Sequence, residues 1–257
     1  MRRVLTSLVL IPFVIYLVLL ANWWLVAGAV ALVACACFYE YRNLAAAYGF
    51  GAPSVFGYGA GLLLLFANAG PWPWLILVLA GLIALAVGMR AQDLRQSLPY
   101  AALLVMGLLY AFGCWKCALE LRARSPHWLM YALIVSWAGD IGGYYIGRRF
   151  GKRRLAEHIS PNKTWEGTAA SLVCSAAIAG AYLVRFVPGV PIVQALLLTL
   201  AANAAGQLGD LAESVIKRGA GAKDSGALLP GHGGMLDRVD STLFVLPVVY
   251  AYVSLAG

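Results

Sequence analysis

Asn203, Gln207, Asp210, Ser214 and Lys217 recur at intervals of four, three, four and three within an otherwise apolar stretch. On a helix that spacing places all five on one face, with Glu213 flanking the stripe. An ionised side chain at the centre of a membrane-spanning helix costs about 2.5–3.5 kcal/mol on insertion scales, so such a stripe is expected to face a polar interior. Asn203 and Gln207 alone read as a buried interhelical hydrogen-bond seam, whereas Asp210 with Lys217 reads as chemistry. A second polar run follows: Lys217-Arg218, Lys223-Asp224, Pro230-Gly231-His232-Gly233-Gly234 and Asp237-Arg238-Val239-Asp240. Asp237 and Asp240, three apart at an expected helix start, share a face and oppose the positive helix end. Plain N-capping by either one does not explain why carboxylates, cations and clustered glycines share one short stretch.

Hard oxygen donors, with no Cys and a single His, suit Mg²⁺ better than zinc. Mg²⁺ commonly takes one or two carboxylates and fills its shell with water and substrate phosphates. Lys and Arg beside it would hold phosphate oxygens and offset transition-state charge, and the glycines would let backbone approach those phosphates. These residues therefore point to phosphoryl or nucleotidyl transfer at the cytoplasmic face of a membrane.

Two upstream segments belong with them. Gly139, Gly143 and Gly147 form a small-xxx-small ridge around Asp140, suited to internal helix packing or to a homodimer. The basic cluster Arg148, Arg149, Lys152, Arg153 and Arg154 reads as a topology anchor. Ser160-Pro161 reads as the N-cap and first residue of a helix, whose N-terminus, with Lys163 beside it, would suit an anion.

The elements that must position these residues are membrane helices. The chain has 257 residues, 62% hydrophobic and 12% charged, against roughly 45–50% and about 25% for a soluble domain. No charged residue lies between Arg3 and Glu40 or between Arg42 and Arg90. A helix needs about 20 residues to cross the hydrocarbon core, and each of these two spans holds two crossings. Shorter charge-free runs predict the rest of an all-α, polytopic integral membrane protein of about nine helices, near 5–21, 23–39, 54–69, 74–88, 99–115, 127–146, 164–187, 191–217 and 239–256. Met1-Arg2-Arg3 and the following apolar run read as a first span rather than a signal peptide. Residues 1–126 read as a scaffold of transmembrane helices, and 127–257 as the catalytic region with cytoplasmic loops 147–163 and 218–238.

The net charge of +8 reads as membrane topology, with no nucleic-acid partner. With the N-terminus cytoplasmic, all but Lys116, Arg122, Arg124 and Arg185 of the 19 Lys and Arg residues fall on the cytoplasmic side, as the positive-inside rule asks. The five cysteines include only a lone C-x-x-C, Cys114 to Cys117, which does not complete a zinc site. No Walker-type or dinucleotide-binding glycine motif and no H-E-x-x-H is present in the sequence, so ordinary P-loop, Rossmann and zinc-protease chemistry find no support.

Ser214-Val-Ile-Lys217-Arg218, then Lys223-Asp224-Ser-Gly226, then Leu229-Pro230-Gly-His232-Gly233-Gly234-Met-Leu-Asp237-Arg238-Val-Asp240 resembles the signature of the phosphatidate cytidylyltransferases, or CDP-diacylglycerol synthases, without departure. The Asp140 segment and Ser160-Pro-Asn-Lys-Thr-Trp-Glu-Gly167 resemble that family too, so the likeness covers residues 137–240 by motif and the rest by hydropathy and length. It implies transfer of CMP from CTP to phosphatidic acid, releasing pyrophosphate, with Mg²⁺ and room for a second metal ion, in the cell inner membrane with the site facing the cytoplasm. By resemblance and placement, Asp210 and Asp237 are the first metal ligands expected, followed by Asp240 and Asp224. Lys217, Arg218, Lys223 and Arg238 would bind phosphates, and His232 would bond a phosphate or order its loop. Ser214 would contact substrate, and Asp140 and Lys163 would complete the cavity. The alternatives are a CTP-dependent polyprenol or lipid kinase, a CDP-archaeol synthase and, from another class, a transporter. Against a transporter, the polar residues cluster toward the cytoplasmic ends and no repeat is apparent, whereas carriers bind at the midplane between repeated halves.

Overall fold

A computed structural model of the chain describes residues 2–50, 55–90, 93–228 and 233–256. Among these the architecture is helical: α1 (Arg2–Leu19), α2 (Trp23–Ala47), α3 (Phe56–Phe66), α4 (Trp72–Gly88), α5 (Leu94–Arg124), α6 (Pro126–Phe150), α7 (Trp165–Phe186), α8 (Ile192–Gly219) and α9 (Leu236–Ala256). Five of these helices are long and apolar enough to cross a bilayer: α2, α5, α7, α8 and α9 over Leu236–Leu255. The shorter α3 and α4 are apolar as well. Leu32, Leu63, Leu79 and Val173 stand exposed on helix surfaces, as fits helices whose outer faces meet lipid. The chain is a multi-pass membrane protein, with five spans supported by length and composition out of the nine expected.

The helices follow the apolar runs but do not stop where charge begins. Helix α5 continues through Lys116 to Arg124, beyond the expected end near 115, and α2 continues through Glu40 and Arg42 to Ala47. Lys, Arg and Glu are good helix formers, so hydropathy marks the membrane-embedded part of such a helix rather than its end. Single π turns interrupt α5 at Leu108–Gly113 and α7 at Ala176–Gly180.

One element departs from the all-helical expectation. Arg154–Ala156 (β1) pairs antiparallel with Ser160–Thr164 (β2). Ser160 and Pro161 are therefore strand residues, not the cap and first turn of a helix. The cap is Thr164, whose hydroxyl accepts from the Gly167 N–H at 3.2 Å. The Glu166 carboxylate, in the first turn of α7, accepts from the Lys152 N–H at 3.1 Å and the Arg153 N–H at 3.3 Å. That anchors the chain entering β1 to the helix that leaves β2.

The chain forms two compact units, each discontinuous in sequence. The first comprises Met1–Val26, Cys117–Val215 and Val239–Gly257, and the second Ala27–Lys116 and Ile216–Arg238. In the first unit, α6 lies against α7 along the expected glycine ridge. A methyl group on Gly147 would lie 3.3 Å from the Gly167 Cα, and one on Gly167 would lie 2.9 Å from the Gly143 carbonyl. The ridge is thus used for packing inside the subunit. In the second unit, the Phe38 ring stacks edge-on against Tyr58 at 4.9 Å and tilts against Phe112 at 5.4 Å. Phe38 of α2 and Phe112 of α5 are fully buried, and Tyr58 of α3 is half-buried beside them.

Candidate active site

The first unit holds a cavity of about 700 Å³ bounded by α6, the β hairpin, α7 and α8. Its polar wall carries Asp140 from α6, Asp210 from α8 and Lys163 from β2. Lys163 Nζ lies 2.7 Å from Asp210 Oδ2 and 3.5 Å from the Gln207 carbonyl. Neither charge is sealed off, with 23% of the Lys163 side chain and 34% of Asp210 exposed. The pair can therefore exchange partners with a ligand. Asp140 and Lys163, expected to complete a cavity with the Asp210–Asp240 segment, line one cavity with Asp210.

A backbone contact brings a third carboxylate close. A methyl group on Gly209 would lie 2.6 Å from the Asp240 carbonyl, and one on Gly206 would lie 3.0 Å from Val245. Helices α8 and α9 therefore touch through bare backbone at Gly209. Asp140, Asp210 and Asp240 lie close enough for their charges to act on one another, with Glu213 also acting on Asp240. Asp240 Oδ1 accepts from the Ser241 N–H at 2.7 Å, and the Ser241 hydroxyl donates to Asp140 Oδ2 at 3.3 Å.

Asn203 forms the seam expected of it. Its Nδ2 donates to the Ser171 and Ser175 hydroxyls at 3.0 and 2.8 Å, and Gln207 Nε2 donates to Asn203 Oδ1 at 2.7 Å. This satisfied network ties α7 to α8 beneath the charged layer. Ser214, expected to touch substrate, is buried and does not line the cavity. One turn beyond Asp210 the face has already turned into packed interior.

Sequence reading missed two cavity cations. Arg148 and Arg154 line the wall with Lys163, although the cluster that contains them read as a topology anchor alone. Arg148 Nη1 donates to the Tyr144 hydroxyl at 2.8 Å, and Arg154 Nη1 donates to the Pro161 carbonyl. The hairpin places Arg154 at the cavity wall, and no strand pattern is readable in those residues.

The second unit holds the other half of the motif. Asp237 works as the hub of its loop. Its Oδ1 lies 2.6 Å from Lys217 Nζ, and its Oδ2 accepts from the Gly234 N–H at 2.8 Å and from the Ser225 N–H and hydroxyl at 3.0 Å each. A carboxylate offers about four lone-pair sites; the Lys217 ammonium and the Gly234 and Ser225 N–H groups meet three of them, and the Ser225 hydroxyl is shared with Glu40. Asp237, expected as a metal ligand, anchors its loop here and pairs with Lys217. Only 11% of the Lys217 side chain and 9% of Asp237 are exposed. Lys223, Asp224 and Arg238 are exposed, and Arg218 Nη1 donates to the Ala222 carbonyl at 3.1 Å. His232 lies outside the described residues.

A further carboxylate, Glu40 of α2, joins this loop and was not singled out from sequence. It is fully buried and accepts from the Met235 N–H at 2.9 Å, the Leu236 N–H at 2.8 Å and the Ser225 hydroxyl at 2.9 Å. The stretch to which it belongs read as scaffold because an isolated Glu among apolar residues carries no spacing signal.

Divalent-metal fit can be judged from the donors. Among the described residues, no group of three or more His, Cys, Asp and Glu side chains is arranged to hold a metal ion. Asp140 and Asp210 are hard oxygen donors on the wall of a cavity that also carries cations. That suits Mg²⁺, which needs one or two carboxylates and takes its remaining ligands from phosphates and water.

Residues 1–256 match the model of the cytidylyltransferase family. A Bacillus subtilis (strain 168) protein named phosphatidate cytidylyltransferase is 42% identical over 156 residues, covering 59% of this chain and 58% of that protein. A Staphylococcus aureus (strain COL) protein of the same name is 44% identical over 157 residues, covering 60% of each. The chain thus matches about three fifths of the length of these relatives.

Proposed function

The chain belongs to the cytidylyltransferase family, and from that premise we propose that it transfers CMP from CTP to phosphatidic acid, giving CDP-diacylglycerol and pyrophosphate. The structural observation that carries the reading is the cavity in which Lys163 pairs with Asp210 beside Asp140, Arg148 and Arg154. Such a wall accepts phosphate oxygens and a hard cation together.

In the reaction, an oxygen of the lipid phosphate attacks the α-phosphorus of CTP. The new P–O bond forms as the bond to the β-phosphate bridge breaks, and pyrophosphate leaves. A phosphomonoester has a second pKa near 6, so the attacking oxygen is largely ionised at neutral pH and no general base is needed. The demand on the protein is to bring two anions together and to neutralise the charge that grows on the leaving group. Arg148, Arg154 and Lys163 supply cations on the cavity wall. Asp210 holds the Lys163 ammonium in place until substrate phosphate competes for it. Asp140 and Asp210 would hold Mg²⁺, which when bound supplies Lewis-acid stabilisation of phosphate charge. In the second unit, Lys217 is oriented by Asp237, and Lys223 and Arg238 are exposed to solvent.

The basic residues of 148–154 follow the positive-inside pattern, which supports a site facing the cytoplasm from the inner membrane. The deciding assay incubates purified protein with cytidine-labelled CTP, phosphatidic acid and Mg²⁺. Label in the lipid phase with free pyrophosphate supports the reading. Release of CDP with a phosphorylated lipid alcohol would instead indicate a CTP-dependent lipid kinase, and absence of any label transfer by folded protein would refute it.

A further inference from the structure

We infer that Glu40 is a positioning residue for the loop that carries Ser225 and Asp237, a role that rests on the proposed reaction only for its effect on rate. Three observations converge on it. Glu40 grips the loop at both ends, taking the Ser225 hydroxyl before the glycine-rich stretch and the Met235 and Leu236 N–H groups after it. Ser225 then links two carboxylates through one hydroxyl: its Oγ lies 2.9 Å from Glu40 Oε2 and 3.0 Å from Asp237 Oδ2, and it accepts from the Asp237 N–H at 3.3 Å. A hydroxyl has a single proton, so donation to one carboxylate withdraws it from the other. The state of Glu40 therefore reaches Asp237, and through it the Lys217 ammonium 2.6 Å away.

The third observation concerns two motif glycines. A methyl group on Gly226 would lie 2.6 Å from Glu40 Oε1, and one on Gly234 would lie 2.5 Å from Glu40 Oε2. From sequence alone Gly234 reads as an opening for substrate phosphate. In the structure both glycines make room for the Glu40 carboxylate, so the motif is shaped around a residue nearly two hundred positions upstream, as the Met235 contact spans 195 residues.

Glu40→Gln, Glu40→Asp and Glu40→Ala in the full-length protein test this. Hydrogen exchange reads the loop directly, whatever the protein catalyses. We expect the Met235 and Leu236 amides to exchange at least about tenfold faster in folded Glu40→Ala, with the amides of α6 and α7 unchanged. In the label-transfer assay kcat should fall by about 100-fold, the range for a misplaced catalytic group, while KM for CTP and phosphatidic acid stays within about threefold. Glu40→Asp should recover part of kcat. Unchanged exchange at Met235 and Leu236 in Glu40→Ala overturns the inference. So does a loss of kcat in every variant that only tracks the fraction of folded protein. Faster loop exchange in a protein whose wild type transfers no label leaves Glu40 as the loop's anchor and sinks the proposed reaction instead.

Discussion

Lys163 Nζ sits 2.7 Å from Asp210 Oδ2 at the wall of the cavity, joining a strand residue to a helix residue that the sequence separates by a whole membrane span. Both side chains remain partly exposed, so the contact is open to competition from a ligand. Exposed ion pairs contribute little to stability, about 0–1 kcal/mol. Asp210→Asn should therefore leave the thermal midpoint within a few degrees of wild type while lowering label transfer by at least about 100-fold. Mg²⁺-dependent turnover at near wild-type rate in that variant would contradict the assignment.

Asp237 is expected to behave in the opposite way. Its pair with Lys217 is nearly enclosed, and its carboxylate holds Gly234 and Ser225 as well. Removing one partner of a buried pair costs about 3–5 kcal/mol. Asp237→Ala should lose both activity and thermal stability, and Asp237→Ala combined with Lys217→Met should regain part of the stability without regaining activity. Denaturation curves of the three variants in one detergent check this.

Arg148 and Arg154 are predicted to hold substrate phosphate. A hydrogen bond to a charged group contributes about 1.5–3 kcal/mol, so Arg148→Ala and Arg154→Ala should each raise KM for CTP or phosphatidic acid by roughly 10- to 100-fold. Titrating each substrate separately shows which phosphate each arginine meets. Wild-type KM values for both substrates in both variants would return these residues to a purely topological role.

Gly209 should be sensitive to any added volume. A methyl group there would press on the Asp240 carbonyl at 2.6 Å, and overpacking of this kind costs about 1–3 kcal/mol. Gly209→Ala should lower both the thermal midpoint and the rate. Ala205→Gly, on the same helix, should not reproduce the loss of rate.

Turnover should stop on chelation of divalent ions and return with added Mg²⁺. The test is label transfer before and after EDTA and re-addition; activity that persists after exhaustive chelation would remove the metal from the proposal.

The sequence showed some of this architecture plainly and hid the rest for identifiable reasons. Helix α8 was expected at 191–217 and spans Ile192–Gly219, and α7 was expected at 164–187 and spans Trp165–Phe186, because apolar runs bounded by loop residues leave little freedom. Asp140, Lys163 and Asp210 were legible because ionised groups are rare in apolar stretches. The hairpin was not legible: Ser160-Pro161 is a good local cap, but pairing with Arg154–Ala156 and the grip of Glu166 on Lys152 and Arg153 are contacts between segments. Glu40 was hidden in the same way, since its three donors come from residues far along the chain. Gly209 looked like any glycine in a membrane helix until its neighbour was known.

The cavity wall has one more consequence. Gly139, Gly143, Gly147, Gly151 and Gly167 all line it, so much of its surface is bare peptide. The room a side chain would take there is already filled: a methyl group on Gly167 would meet the Gly143 carbonyl at 2.9 Å and the Gly147 Cα at 3.1 Å. That stretch of wall is therefore built peptide against peptide, with no slack to absorb an added carbon: its shape is written into the backbone, and Tyr144, Arg148 and Arg154 are the side chains that can still rearrange along it.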